Sequence, residues 1–341
     1  MVQVTTLGRT SISATGKKQF RAEVATLGSL SHVNLVQLRG FCAEGVHRLL
    51  VYDYLENGSL DKWLFCDSVE EMSHHGVREI DKWDVRYRIA VDTARGLAFL
   101  HEGCRDKVLH LDVKPQNILL DGTFRAKLSD FGVSKLIERE TRGDHTQTQT
   151  AMRGTPGYMA PEWFLNLPVT DKSDVFSYGM VLLELVGGRK NAHLHVDDVH
   201  DGMVDMHKSG HPDEGIGWYF PAWAAKQAGL GKTLDIVDKR LLTNVNQKAE
   251  EDATSSLIRL IHVAFWCIQE DPVYRPLMST VLLMLEEHVQ VPDPPLHLRY
   301  IPRQVVRPSS LVFPSSTSIA SSTMSSIESI HATGDNFLHS R

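Results

Sequence analysis

The sequence predicts an α+β fold in which a small strand-bearing part precedes a larger, mainly helical part. Three observations carry that reading. Short β-type runs come early, at residues 35–38 and 48–54, separated by a glycine-containing turn. Between Val108 and Leu136, short apolar pieces alternate with charged and turn residues, as in hairpins joined by loops. Later, residues 182–186 and 258–266 are predominantly apolar, interrupted only by Glu184, Arg259 and His262, and read as buried helices.

Each element follows from its own pattern. Beyond Lys17, Phe20, Val24, Leu27 and Leu30 recur at spacings of four, three and three, which is one face of a helix. Residues 57–100 read as helix, loop and helix, with Ile89, Val91, Ala94, Leu97, Ala98 and Leu100 dense in apolar positions. After Pro292 the composition shifts to a proline cluster and then to serine and threonine, so residues 303–341 are expected to be disordered. No internal repeat is visible.

Composition excludes several classes. With 36 Lys and Arg against 42 Asp and Glu, the 341-residue chain carries a net charge of −6, which argues against binding nucleic acid through a broad basic surface. No run of about 18 apolar residues occurs, so no membrane span is expected. The start of the chain lacks the charged and apolar regions of a signal peptide. Cys42, Cys66, Cys104 and Cys267 are widely spaced, which favours a reducing, cytoplasmic setting over a disulfide framework or zinc site. Residues 191–214 gather five histidines and five aspartates without a metal-ligand spacing, and read as a solvated loop. Trp163, Trp218, Trp223 and Trp266 read as packing residues.

The stretch His110-Leu111-Asp112-Val113-Lys114-Pro115-Gln116-Asn117, followed by Asp130-Phe131-Gly132, is the most informative. Phosphoryl transfer needs positioning more than covalent chemistry. Asp112 is placed to receive the proton of an attacking hydroxyl, and Lys114 to neutralise charge on the moving phosphoryl group. Asn117 and Asp130 supply oxygen ligands for Mg²⁺ held against phosphates. Each tripeptide alone is a weak signal, but their order and spacing together are specific.

Gly154-Thr155-Pro156-Gly157-Tyr158-Met159-Ala160-Pro161-Glu162, then Asp174 to Gly179, and finally Arg275-Pro276 complete the pattern. With these motifs, residues 17–289 resemble the eukaryotic protein kinase family, and especially plant receptor-like Ser/Thr kinases of the S-domain (G-type lectin) group. The resemblance implies a two-lobed fold: a truncated amino-terminal β-lobe over residues 1–55, a mainly helical lobe over 56–289, and a tail over 290–341. It implies ATP and Mg²⁺ as cofactors and protein Ser/Thr hydroxyls as acceptors, with Lys114 favouring Ser/Thr over Tyr. By the same resemblance, Tyr52 is gatekeeper, Asp53 to Leu55 form the adenine-binding hinge, and Leu119 also lies at the nucleotide. Thr155 contacts Asp112, Asp174 hydrogen-bonds the catalytic loop, and Glu162 forms a buried pair with Arg275. Thr146, Thr148 and Thr150 are candidate phosphate acceptors. Full-length relatives would stand at the plasma membrane with this domain inside.

Two departures qualify the resemblance. No glycine-rich phosphate loop precedes Gly16, and Thr5 stands where the family strand carries lysine, so Glu23 is read either as the helix acid that pairs with such a lysine, as the resemblance implies, or as a solvated helix carboxylate. Leu111 replaces the arginine that pairs with activation-loop phosphate, the trait of the non-RD subgroup. Two functions therefore remain open: a protein Ser/Thr kinase with weakened transfer, or a pseudokinase that docks on a receptor kinase.

Overall fold

The computed structural model describes residues 2–6, 14–28, 30–45, 47–65, 78–137, 154–165, 167–191, 199–200, 203–204, 219–242 and 247–296. Thr146, Thr148, Thr150, nearly all of the histidine-rich stretch, Trp218 and the serine-rich tail lie outside them.

The architecture is the expected two-lobed α+β fold. In the small lobe, β1 (Val2–Thr6) and β2 (Leu38–Cys42) flank β3 (Leu49–Asp53), and both pair with it antiparallel. Thr5 stands opposite Leu50 in that register. Helix α1 (Ala14–Leu27) begins three residues before the expected Lys17 and ends before Leu30. It sets the fully buried Phe20 and Leu27 inward, as their spacing requires.

The first β-type run is displaced from its expected position. Residues 35–37 are not in a strand, and β2 begins only at Leu38. Leu35 instead forms an isolated parallel bridge to Leu128, and Asn34 Nδ2 donates to the Ala126 carbonyl at 3.0 Å. These apolar residues are buried by the larger lobe, which a local pattern cannot distinguish from burial within a sheet.

The hairpin β6 (Ile118–Leu120) and β7 (Ala126–Leu128) pairs with β4 (Gly58–Ser59), which leads directly into α2 (Leu60–Leu64), while β5 (Lys107–Leu109) pairs with β8 (Lys135–Ile137). Below them lie α3 (Trp83–Ala98), α4 (Asp171–Gly187), α5 (Phe220–Gly229), α6 (Lys239–Leu242), α7 (Gln247–Cys267) and α8 (Met278–Leu285).

Helix α4 is the pillar. It is apolar around most of its circumference and nearly all its residues are buried, which marks a helix surrounded by protein. Its first turn is capped by Thr170, whose side chain accepts from the Lys172 amide at 3.2 Å. Gly188, at φ 61°, closes its end in the left-handed conformation that favours glycine. Helix α7 approaches so closely that a Cβ on Gly179 would lie 2.6 Å from Cys267 Cβ, so a larger side chain there would force the helices apart. Trp163 is buried, Trp223 packs against the core, and Trp266 donates to the Pro292 carbonyl.

Candidate active site

Short loops at the ends of small strands carry the polar residues singled out by their motifs. Leu111 and Asp130 both adopt left-handed backbone, φ 66° and 62°. For a leucine this is unfavourable and needs to be held in place. The fully buried Asp174 of α4 holds it: its carboxylate accepts from the amides of His110 (2.8 Å) and Leu111 (2.7 Å), and pairs with His101 Nε2 at 2.9 Å. A loop that must expose Asp112 is thereby fixed to a helix buried along nearly its whole length. Asp174 was legible as a loop anchor, but His101, on the turn after α3, gave no separate sequence signal.

Asp112 is the hub. Its Oδ1 accepts from Thr155 Oγ1 at 2.7 Å, and its Oδ2 accepts from Lys114 Nζ at 2.7 Å and Asn117 Nδ2 at 3.1 Å. Lys114 Nζ also donates to Thr155 Oγ1 at 2.8 Å, closing a ring of three side chains drawn from two segments 41 residues apart. Asn117 Nδ2 donates further to the Asp112 carbonyl at 2.9 Å, which leaves the amide oxygen available to accept or ligate. The hairpin β6–β7 then brings Asp130 near: the Asn117 carbonyl accepts from the Ser129 amide (2.9 Å) and hydroxyl (3.0 Å), one residue before Asp130. Asp130 is exposed, with Oδ1 accepting from the Gly132 amide at 3.3 Å. The buried Phe131 ring lies 4.9 Å from the imidazole of His110, tying the two loops together.

Asn117 and Asp130 thus present an amide oxygen and a carboxylate from adjacent loops, the hard oxygen donors that suit Mg²⁺. The hinge candidates follow β3. Leu55 is buried, while the Asp53 carboxylate is taken by Arg39 in a two-point ion pair at 2.6 and 2.8 Å. Asp53 can therefore meet a ligand through its backbone, as the resemblance implied. Leu119 stands in β6 opposite Lys127.

Glu23 resolves differently from both sequence alternatives. It is buried, and its carboxylate accepts from the Tyr52 hydroxyl, so it is not a solvated helix residue. Burial pushes its pKa up to about 7, and the negative charge of Asp130 adds to the rise. The partnership joins α1 to β3 without an ammonium group.

The Thr155 segment is fastened at both ends. Glu162 and Arg275, both fully buried, meet in two parallel 2.8 Å bonds, as the resemblance implied. Tyr158 donates to both oxygens of the buried Glu184 on α4 at 3.0 and 2.9 Å, and the Asn191 amide donates to it at 2.9 Å. Tyr158 lies in the quoted motif, but its pairing with Glu184 gave no sequence signal, because an acid within an apolar run looks like an ordinary helix residue.

Burial pushes Glu184 from 4.5 up to about 8. An acid whose folded pKa exceeds its unfolded one binds extra protons when folded, so its effect is loss of stability as pH rises from about 4.5 to about 8. Glu23 acts in the same direction up to about 7. In urea unfolding, Glu184→Gln should therefore gain stability relative to the natural chain between pH 5 and pH 8. A difference that stays constant across that range would contradict the assignment.

Comparison with known proteins agrees with this arrangement. The protein kinase domain family model matches residues 2–283, and the chain belongs to that family. Among curated relatives, the G-type lectin S-receptor-like serine/threonine-protein kinases SD2-2 and SD2-5 of Arabidopsis thaliana are 46% and 47% identical over 280 and 281 residues. Each alignment covers 82% of this chain but 32% and 30% of the relative. A rice relative, LECRK3 of Oryza sativa subsp. indica, is 41% identical over 288 residues, 84% of this chain and 30% of its own. The chain spans about a third of the length of these relatives.

Proposed function

We propose that this chain transfers the γ-phosphoryl group of ATP to serine or threonine hydroxyls of proteins. The ring joining Asp112, Lys114 and Thr155 carries the proposal, since it aims a carboxylate and an ammonium at one point beside two candidate metal ligands. Asp112 orients the incoming hydroxyl and receives its proton. Lys114 balances the charge that grows on the phosphoryl oxygens, and Thr155 holds both groups in place. Asn117 and Asp130 would hold Mg²⁺, which when bound neutralises phosphate charge. By the family resemblance, the backbone of residues 53–55 would hold the adenine, with Tyr52 and Leu119 lining its site.

The names of the relatives support Ser/Thr as acceptors and a receptor-like kinase as the wider context. A cytoplasmic position agrees with the free thiols Cys42, Cys104 and Cys267. Among the described residues no helix is long and apolar enough to cross a membrane.

A thermal-shift titration tests the reading together with radiolabelled transfer to a basic protein. Mg²⁺ with ATP should raise the melting temperature more than ATP alone, because a ligand that binds only the folded chain stabilises it. Label should appear on serine or threonine. A metal-independent shift without transfer would favour the docking pseudokinase instead.

A further inference from the structure

The turn that carries Asp130 meets α1 at two points. Glu23 lies beside the backbone of Phe131, which counters part of the rise in its pKa. Three residues later, on the same helix face, Thr26 is 2% exposed and its Oγ1 lies 3.0 Å from Ser134 Oγ, across 108 residues of sequence. Ser134 Oγ in turn donates to the Phe131 carbonyl at 2.7 Å, and the Ser134 amide donates to the same carbonyl at 3.1 Å. The carbonyl has no proton to give, so the serine proton points to it, and Thr26 Oγ1 donates to Ser134 Oγ. Gly132 fits closely between: a Cβ there would lie 3.2 Å from Asp130 Oδ1 and 3.5 Å from Gln19 Cβ on α1.

We infer that Thr26 and Ser134 are positioning residues, a hydroxyl tether through which α1 fixes the Phe131–Ser134 turn and, with it, the carboxylate of Asp130. The consequence for metal rests on the proposed nucleotide site, whereas the tether itself does not. Glu23 lies against the same turn with a carboxylate whose charge changes near neutral pH. The hydroxyl pair has no charge to lose there, so it keeps its grip at any pH at which the chain is folded. The sequence gives no hint of the pair, because a threonine in a helix and a serine after a glycine turn are both ordinary.

The test compares Thr26→Val, Ser134→Ala, their combination and Thr26→Ser. Amide hydrogen exchange over residues 129–135 reads the tether. Affinity for a non-hydrolysable ATP analogue, with and without Mg²⁺, reads its effect on Asp130. Each hydroxyl deletion should speed exchange in this segment by about three- to tenfold, the range of one neutral hydrogen bond. The double variant should add nothing further, Thr26→Ser should behave as the natural chain, and α4 amides should not change. Affinity with Mg²⁺ should fall by a similar factor while metal-free affinity holds. Additive exchange effects, failure of Thr26→Ser to rescue, or equal loss with and without metal would overturn the inference. If the natural chain gains nothing from Mg²⁺ while the exchange pattern holds, the nucleotide reading falls and the tether stands.

Discussion

Arg275→Ala should lower the unfolding free energy by about 3–5 kcal/mol, because it strands the buried carboxylate of Glu162. The guanidinium does more than pair with that acid. Its Nε donates to the Gln269 carbonyl at 2.7 Å, and Nη1 and Nη2 donate to the carbonyls of Lys172 (2.9 Å) and Glu270 (3.0 Å). It also lies 5.0 Å from the ring centroid of Phe176 on α4. Ser173 Oγ, which donates to Glu162 Oε1 at 2.6 Å, would be too little to replace a cation. Arg275→Lys should also destabilise, since one ammonium cannot reproduce the planar fork. The double change Glu162→Leu with Arg275→Met should recover only part of the loss, because the carbonyls of Gln269, Lys172 and Glu270 lose the guanidinium donors. For a domain of this size, about 2–4 °C of melting temperature per kcal/mol makes the effect easy to see by calorimetry. An Arg275→Ala chain within about 1 kcal/mol of the natural one would show that water reaches the pair.

That ion pair was legible only through the family resemblance, and the contrast with other elements is instructive. Helices α4 and α7 were visible in the residues themselves, because a helix surrounded by protein writes predominant apolarity into its sequence. The loop residues Asp112, Lys114, Asn117 and Asp130 were visible because their chemistry constrains spacing along one stretch of chain. What stayed hidden depends on distant partners. Leu35 looks like a strand residue, yet it is buried by a bridge to Leu128. Glu23 looks like a surface carboxylate until β3 brings Tyr52 to it. Glu184 becomes informative only when Tyr158, 26 residues earlier, folds back onto α4. The same polar residue types occur on the surface and in the core, and only tertiary pairing separates them.

Asp112→Asn should reduce phosphoryl transfer by about 10²–10⁴-fold while leaving affinity for ATP with Mg²⁺ almost unchanged, the range for losing a positioned general base. The asparagine keeps the volume and one carbonyl oxygen, so the bond from Thr155 Oγ1 can survive. Its new amide group, however, faces the Lys114 ammonium and Asn117 Nδ2, which now donate to Oδ2 at 2.7 and 3.1 Å. Two donors meeting a third is unfavourable, so the lysine should turn away and the phosphoryl charge lose its balance as well. Asp130→Asn should divide the effects the other way, weakening nucleotide binding only when Mg²⁺ is present, because that carboxylate belongs to the metal and not to the hydroxyl. Single-turnover transfer and equilibrium nucleotide binding, measured on the same two variants, separate the roles. Should Asp112→Asn lose nucleotide affinity and retain its transfer rate, the hydroxyl would have to be activated elsewhere, and the ring of Asp112, Lys114 and Thr155 would be a brace for the loop rather than the centre of the reaction.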